Sequence, residues 1–485
     1  MNYYIGIDIG TSSAKLLLLD DQGSVHAQER VCYDLLQTQT GWFEIEPNEW
    51  FKATIVGIKK LLIKFDPKKV KGIGFTGQMH TTVFLDKHGN SIRPALSWND
   101  TRTSEYLELI KEKISNYKDL QHISGIISTG SPAVNLLWLK EQEAGNFKKL
   151  HKILIGPDYL TYRFSGKYGA DYCEASTSSL YDIHNRTWSE KMCNIIGIPL
   201  SILPPVYHSG YKVGVILPEL SEVLGFNKDV QIIIGTGDNP ATYFSSSMLK
   251  NKEPIISLGT SGILMYNRCT VNEKSKGKST LFSINDKDFY IIVQGAVQSS
   301  GSCYNWWVKK FIEVQDFDEI KNNVNITKPI NHQLLFYPHL NGEKTIYADP
   351  HLKGALIGIG TDVDKEEVTR AIFEGISFAF KQLIEQMQID ENFKVVKVTG
   401  RMSTVRPFIQ ILADILQVKI ETDDNISAVQ GMAIITAQSC ENKLLNKETG
   451  RNTQIFYPRS SYSRIYVDKY QKYKKIYHSI KEVYC

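Results

Sequence analysis

The sequence has no long apolar run. No stretch approaches the roughly 20 residues of a membrane-spanning helix, and no basic segment leads into an apolar one near the start. A membrane partner is therefore not expected. Cysteine is sparse: seven residues, an odd number, scattered from Cys32 to Cys485 with no C-x-x-C pair. This argues against a disulfide framework and for a reducing, cytoplasmic setting. Charge of one sign is lacking too. A formal net charge of +4 on 485 residues gives no case for nucleic acid, which needs a concentrated basic patch. Low-complexity segments are missing. What remains is ordinary globular composition, 42% hydrophobic and 22% charged, on a length that suggests roughly two to four domains.

The most informative stretch is Tyr4-Ile5-Gly6-Ile7-Asp8-Ile9-Gly10-Thr11-Ser12-Ser13-Ala14-Lys15, running on to Asp20. It reads as a strand, a tight turn of small residues and a second strand. Backbone N–H groups and hydroxyls at such a turn can cradle phosphate oxygens, because small residues allow close approach. The carboxylate of Asp8 beside it can hold a hydrated Mg²⁺, which takes one or two carboxylates plus waters and phosphates. An ordinary β-hairpin with a surface aspartate explains the same residues, and the stretch alone does not decide.

A helix opens at Pro47 and carries an apolar stripe at Phe51, Ile55, Ile58, Leu62 and Phe65. Strands are expected at Val70 to Phe75, broken at Gly77, and at Thr81 to Asp86. The strand Ile232 to Gly235 ends in Thr236-Gly237-Asp238-Asn239. Then Ile255-Ile256-Ser257-Leu258-Gly259-Thr260-Ser261-Gly262-Ile263 repeats the opening design, which suggests a duplicated domain. Lys250-Asn251-Lys252-Glu253 just before it reads as a linker. Further on, Asp364 with Glu367 marks a helix start, and helices are expected at about Thr404 to Gln417 and Ile426 to Ala437. A terminal helix aligns Tyr466, Tyr470, Tyr473, Tyr477 and Ile480. Strand and helix alternation implies an α/β fold with sheets covered by helices.

Two such turns, one per half, suggest a nucleotide gripped between two domains. Transfer of its γ-phosphoryl group needs a metal on the phosphates and an oriented nucleophile. Asp8 is the metal-side candidate. Asp238 is the candidate general base, although aspartate after glycine also suits a helix cap. His80, in Gln78-Met79-His80, can donate and accept hydrogen bonds as a polyhydroxy ligand requires. Trp98-Asn99-Asp100 adds an aromatic face and polar side chains.

These motifs, followed by Pro338-His339-Leu340-Asn341-Gly342-Glu343, occur in an order that resembles the FGGY carbohydrate kinases over nearly the whole chain. The resemblance implies two ribonuclease H-like domains of the actin and sugar-kinase superfamily, each a mixed sheet flanked by helices, with ATP in the cleft between them. The expected domains are residues 1–249, with the sugar site and catalytic aspartate, and 250–485, with the adenosine site. The terminal helix, about 462–483, is expected to pack back on the first domain.

By position, Asp238 looks like the base that deprotonates the sugar hydroxyl, and Asp8 like the magnesium-side carboxylate. Thr11, Ser12, Lys15, Gly259, Thr260, Gly400 and Arg401 fall at nucleotide positions. Met79, His80, Trp98, Asn99, Asp238 and Asn239 fall at sugar positions. The pairing of Met79-His80 with Trp98-Asn99-Asp100 is similar to members acting on D-xylulose. Glycerol-specific members carry Arg-Glu at the first of these, and gluconate-specific members Trp-Ala-Asp-Asn at the second. The implied reaction is transfer from ATP, with Mg²⁺, to the terminal hydroxyl of a ketopentose. The family also suggests a homodimer.

The chain departs from the family pattern at Thr399-Gly400-Arg401-Met402-Ser403, where a glycine run is usual, and at Lys344, where arginine is usual. A side chain at Arg401 or Met402 is expected to crowd the approach that glycine permits. Lysine keeps the charge of arginine but not its planar fork. Two alternatives stay open: a kinase of gluconate, ribulose or another polyol, and a non-catalytic sugar or nucleotide sensor.

Overall fold

The computed structural model describes the chain except residues 247–248, 250–251, 273, 314–329, 391, 444, 446–452 and 485. Lys250 and Asn251 of the expected linker thus lie outside the described residues.

The opening residues form the centre of a six-stranded sheet. Its order is Lys212–Val215, Gln231–Gly237, Val70–Gly77, Tyr3–Ile9, Ser13–Asp20, Val25–Cys32. Tyr3–Ile9 pairs antiparallel with Ser13–Asp20 and parallel with Val70–Gly77, which pairs parallel with Gln231–Gly237. All seven residues of Tyr3–Ile9 are buried, as both faces of a mostly parallel centre require. The second half repeats the plan. Its seven-stranded sheet runs Lys278–Ser283, Phe289–Val297, Gly262–Arg268, Ile255–Leu258, Val395–Thr399, Lys419–Asp423, Thr453–Phe456. From the hairpin outward the pairing senses match: parallel, parallel, then an antiparallel edge. The antiparallel edge strand precedes its neighbour in the first half and follows it in the second.

A smaller five-stranded sheet joins Leu36–Gln39, Trp42–Ile45, Ala95–Leu96, Thr82–Leu85 and Lys152–Ile155. The chain leaves the large sheet at Gly77 and enters the small one at Thr82, so Gln78-Met79-His80 spans the crossing. His80 sits there at φ 69°.

The helix expected near Ile426 runs Ala428–Glu441, but it covers the first sheet, not the second. A Cβ on Gly6 would lie 2.5 Å from the backbone of Val429 and Ala433, and one on Gly431 2.0 Å from the carbonyl oxygen of Ala241. Glycine at these points lets the helix lie against strand Tyr3–Ile9 and against helix Asp238–Ser245. One apolar cluster accordingly mixes Tyr4, Leu17 and Ile233 with Ile255, Met265, Val429 and Met432.

The helix Lys365–Gln386 starts at the expected Asp364–Glu367 capping box. The terminal helix, Ser460–Tyr484, buries Tyr466, Tyr470, Tyr473 and Tyr477 as its stripe predicts. Its docking corrects the expectation that it returns to the first domain. Tyr466 and Lys469 bond Glu374, Tyr470 bonds Glu385, and Tyr477 stacks on Tyr347. All these partners belong to the second half, which offers buried acidic and aromatic groups where the tyrosine stripe lands.

Candidate active site

Strand register assembles the first half of the site. Asp8 lies level with Thr76, and Gly77 level with Gly237. Three parallel strands therefore deliver Asp8, Gln78-Met79-His80 and Asp238 to one edge, the carboxyl ends where ligands bind in α/β sheets. The hairpin register also sets Lys15 opposite Asp8, and Lys15 Nζ donates to Asp8 Oδ2 at 3.3 Å.

Asp238 is the first residue of helix Asp238–Ser245, whose N-cap is Gly237. The capping alternative thus fails, because no side chain caps this helix. The carboxyl is half-buried. Burial pushes it up to about 7, Asp8 adds to the rise, and the Asn239 N–H and Lys15 oppose it. Burial also raises Asp8, against Lys15. Behind them lies an acid cluster: burial lifts Asp171 to about 6, and burial with Asp158, Asp171 and Asp238 lifts Glu174 well above the carboxylate range.

Asn239 Nδ2 lies 4.0 Å from Met79 Sδ and donates to Gln294 Oε1 of the second half at 2.5 Å. Burial, then Lys278, lowers His80 to about 3, so its ring is neutral at physiological pH and can both donate and accept. His80 Nδ1, both amide atoms of Gln78 and Asn99 Oδ1 are buried without a partner among the described residues. Such groups call for a ligand's hydroxyls. The indole of Trp98 is 44% exposed and donates to Thr11 Oγ1 at 3.2 Å, tying the sugar residues to the first turn. Ser12 is exposed at that turn. Asp100 is committed elsewhere: it accepts from Arg102 and from the Phe43 N–H. It braces the loop that holds Trp98.

The second turn repeats the first in finer detail. Gly10 N–H donates to Ser13 O at 3.0 Å, and Gly259 N–H to Ser261 O at 2.9 Å. Gly259 and Thr260 are exposed, and their carbonyls accept from Gly301 and from Ser300 and Ser302. Gly400 adjoins this turn with φ 91°, and a Cβ there would lie 2.5 Å from Leu258 O. Arg401 is exposed, whereas Met402 is buried in the second-half core. Met402 therefore turns away from the edge, and the expected crowding does not apply to it. Glu343 is buried and accepts from Thr345, Ile346 and Tyr347 N–H groups, so Gly342-Glu343-Lys344 holds its own loop.

The structure thus brings Asp8, Thr11, Lys15, Met79, His80, Trp98, Asn239 and Asp238 together. Gly259, Thr260, Gly400 and Arg401 form a separate group on the second half. The Asn239–Gln294 bond connects the first group to that half. Sequence reading missed Gln294 and Lys278. A glutamine amid Ile291 to Val297 was the one available signal, since a polar side chain in an apolar strand needs a partner.

A ligand-bound xylulose kinase from Lactobacillus acidophilus superposes with a TM-score of 0.87 at 23% identity, covering 100% of this chain and 99% of that one. The two chains share one fold. Within it, the chain belongs to the FGGY family of carbohydrate kinases, whose N-terminal domain matches residues 3–245 and C-terminal domain residues 255–440. It is a phosphotransferase that acts on an alcohol group, with ATP as co-substrate. Similar relatives include a xylulose kinase of Bacillus subtilis (29% identical, spanning 100% of this chain and 98% of the relative). Another, of Staphylococcus xylosus, is 27% identical over 98% and 100%.

Proposed function

We propose that the chain phosphorylates D-xylulose at its terminal hydroxyl, yielding D-xylulose 5-phosphate and ADP. The observation that carries this reading is Asp238, a carboxyl held near neutrality at the sheet edge beside Asp8, Lys15 and the unpaired polar atoms of Gln78 and His80. The full-length similarity to xylulose kinases supports the choice of sugar.

In this mechanism Met79, His80, Trp98, Asn99 and Asn239 orient the acceptor. Asp238 takes the proton of the terminal hydroxyl as its oxygen attacks the γ-phosphorus, and the bond to the β-phosphate oxygen breaks. Thr11, Ser12 and Lys15 hold phosphate oxygens from one side and Gly259 and Thr260 from the other. Gly400 and Arg401 border the nucleoside. Lys15 also favours the ionised form of Asp8 against its burial. No group of three or more His, Cys, Asp or Glu side chains gathers as a metal site among the described residues. A lone carboxylate such as Asp8 fits Mg²⁺ carried on substrate phosphates: Asp8 would hold the ion, which would supply positive charge against the developing phosphate charge. Division at residues 249 and 250 assigns the catalytic aspartate and most acceptor contacts to one domain and the nucleoside to the other, with closure excluding water.

The proposed setting is cytoplasmic, in keeping with six free cysteines among the described residues. No described helix is long and apolar enough to cross a membrane. The proposed assembly is a homodimer, on family resemblance.

A pH profile tests the base. An acid raised to about 7 loses its proton only above that value. With saturating ATP, kcat/KM for D-xylulose should fall about tenfold per pH unit below about 7 and level off above it. A flat profile from pH 5 to 8 would remove Asp238 from this role.

A further inference from the structure

Two polar side chains of the second half reach the acceptor residues of the first. Strands Lys278–Ser283 and Phe289–Val297 pair antiparallel, with Lys278 directly opposite Gln294. Directly opposed residues project from the same face of a sheet. Gln294 Oε1 accepts from Asn239 Nδ2 at 2.5 Å, next to the proposed base. Lys278 Nζ donates to Ser128 Oγ at 2.9 Å, and its charge acts on His80. The strand itself is fastened to the first half. Leu281 N–H donates to Ser176 Oγ at 3.0 Å, and Ser283 O accepts from Ser209 N–H at 2.9 Å. Lys278 and Gln294 are thus fixed against the first half.

The chemistry of the two differs. Gln294 offers a donor and an acceptor and suits a hydroxyl. The lysine ammonium only donates. It distinguishes a carbonyl or carboxylate oxygen, which only accepts, from a hydroxyl that must place its own proton elsewhere. Nothing in the Asp8–Asp238 edge makes that distinction, since every open-chain polyol presents a terminal hydroxyl.

We propose that Lys278 and Gln294 form the second-half wall of the acceptor site, and that the Lys278 ammonium selects an acceptor whose end remote from the phosphorylated hydroxyl carries a carbonyl. This rests on the ketopentose reading above. It also makes the acceptor site incomplete without the second half.

The test compares the full-length wild type with Lys278→Met, Lys278→Arg and Gln294→Leu, using D-xylulose and D-arabitol, which has a hydroxyl in place of the carbonyl. Losing a charge-assisted hydrogen bond should raise KM for D-xylulose about tenfold or more in Lys278→Met, with kcat within about threefold. The kcat/KM preference for D-xylulose over D-arabitol should shrink by about the same factor. Lys278→Arg should recover most of the loss, and Gln294→Leu should raise KM for both acceptors. An unchanged thermal midpoint shows that Lys278→Met is folded. Unmoved KM for D-xylulose, or an equal rise for D-arabitol, in an enzyme whose wild type turns over D-xylulose, overturns this proposal alone. A wild type inactive on every ketopentose overturns the proposed function and this inference with it.

Discussion

Asp238→Asn should lower kcat by about 10²- to 10⁴-fold while leaving the dissociation constant for D-xylulose within about threefold of wild type. The amide keeps the shape of the carboxyl and cannot accept the hydroxyl proton. Its loss should cost the fold little. Gly237, not Asp238, is the N-cap, and no side-chain capping bond is broken. A carboxyl raised to about 7 by burial and by Asp8 is moreover a group whose ionised form the fold disfavours. A capping aspartate would behave differently, with stability falling by about 0.5–2 kcal/mol and turnover nearly intact. Calorimetric sugar binding, thermal denaturation and steady-state kinetics on the one variant separate the two roles. Turnover within about threefold of wild type would remove Asp238 from the chemistry.

Arg102→Leu should destabilise the protein by about 3–5 kcal/mol, the cost of stranding a buried partner charge. Arg102 and Asp100 have side chains 1% and 0% exposed. The guanidinium donates to both oxygens of Asp100 and, at 2.6 Å, to Glu44. It also lies 3.9 Å from the Trp42 ring centroid. Removing it leaves Asp100 with backbone donors and leaves Glu44 to Arg93. The loop behind Trp98 then loses its brace, so KM for the sugar should rise along with the loss in stability. Chemical denaturation measures the first effect. A change under about 1 kcal/mol would mean that the network is energetically neutral, as some buried ion pairs are.

What could be read from the sequence was local. The Asp8 hairpin and its echo at Gly259 are turns built from small residues within a dozen positions, so their geometry is written in the residues themselves. The same holds for the capping box at Asp364 and the tyrosine stripe of the last helix. What could not be read was the choice of partner. An apolar stripe says that a helix packs, not on which sheet. Ala428–Glu441 crosses to the first sheet because Gly6, Gly72 and Gly74 leave room for it, a complementarity between residues some 360 to 430 positions apart. Asp100 illustrates the same limit. Its motif suggested a sugar contact alongside Trp98, yet Arg102, two residues on, turns it inward. Lys278 and Gln294 belong to strands of the other half, and only the strand register sets them opposite one another.

The most direct test of the central claim is phosphorus NMR of the product formed from ATP and D-xylulose, run in parallel with Asp238→Asn. A phosphate ester on the terminal oxygen is expected, formed in step with ADP by the wild type and at least about a hundredfold more slowly by the variant. ADP released as inorganic phosphate with no sugar ester, or an ester formed at equal rates by both proteins, would contradict it.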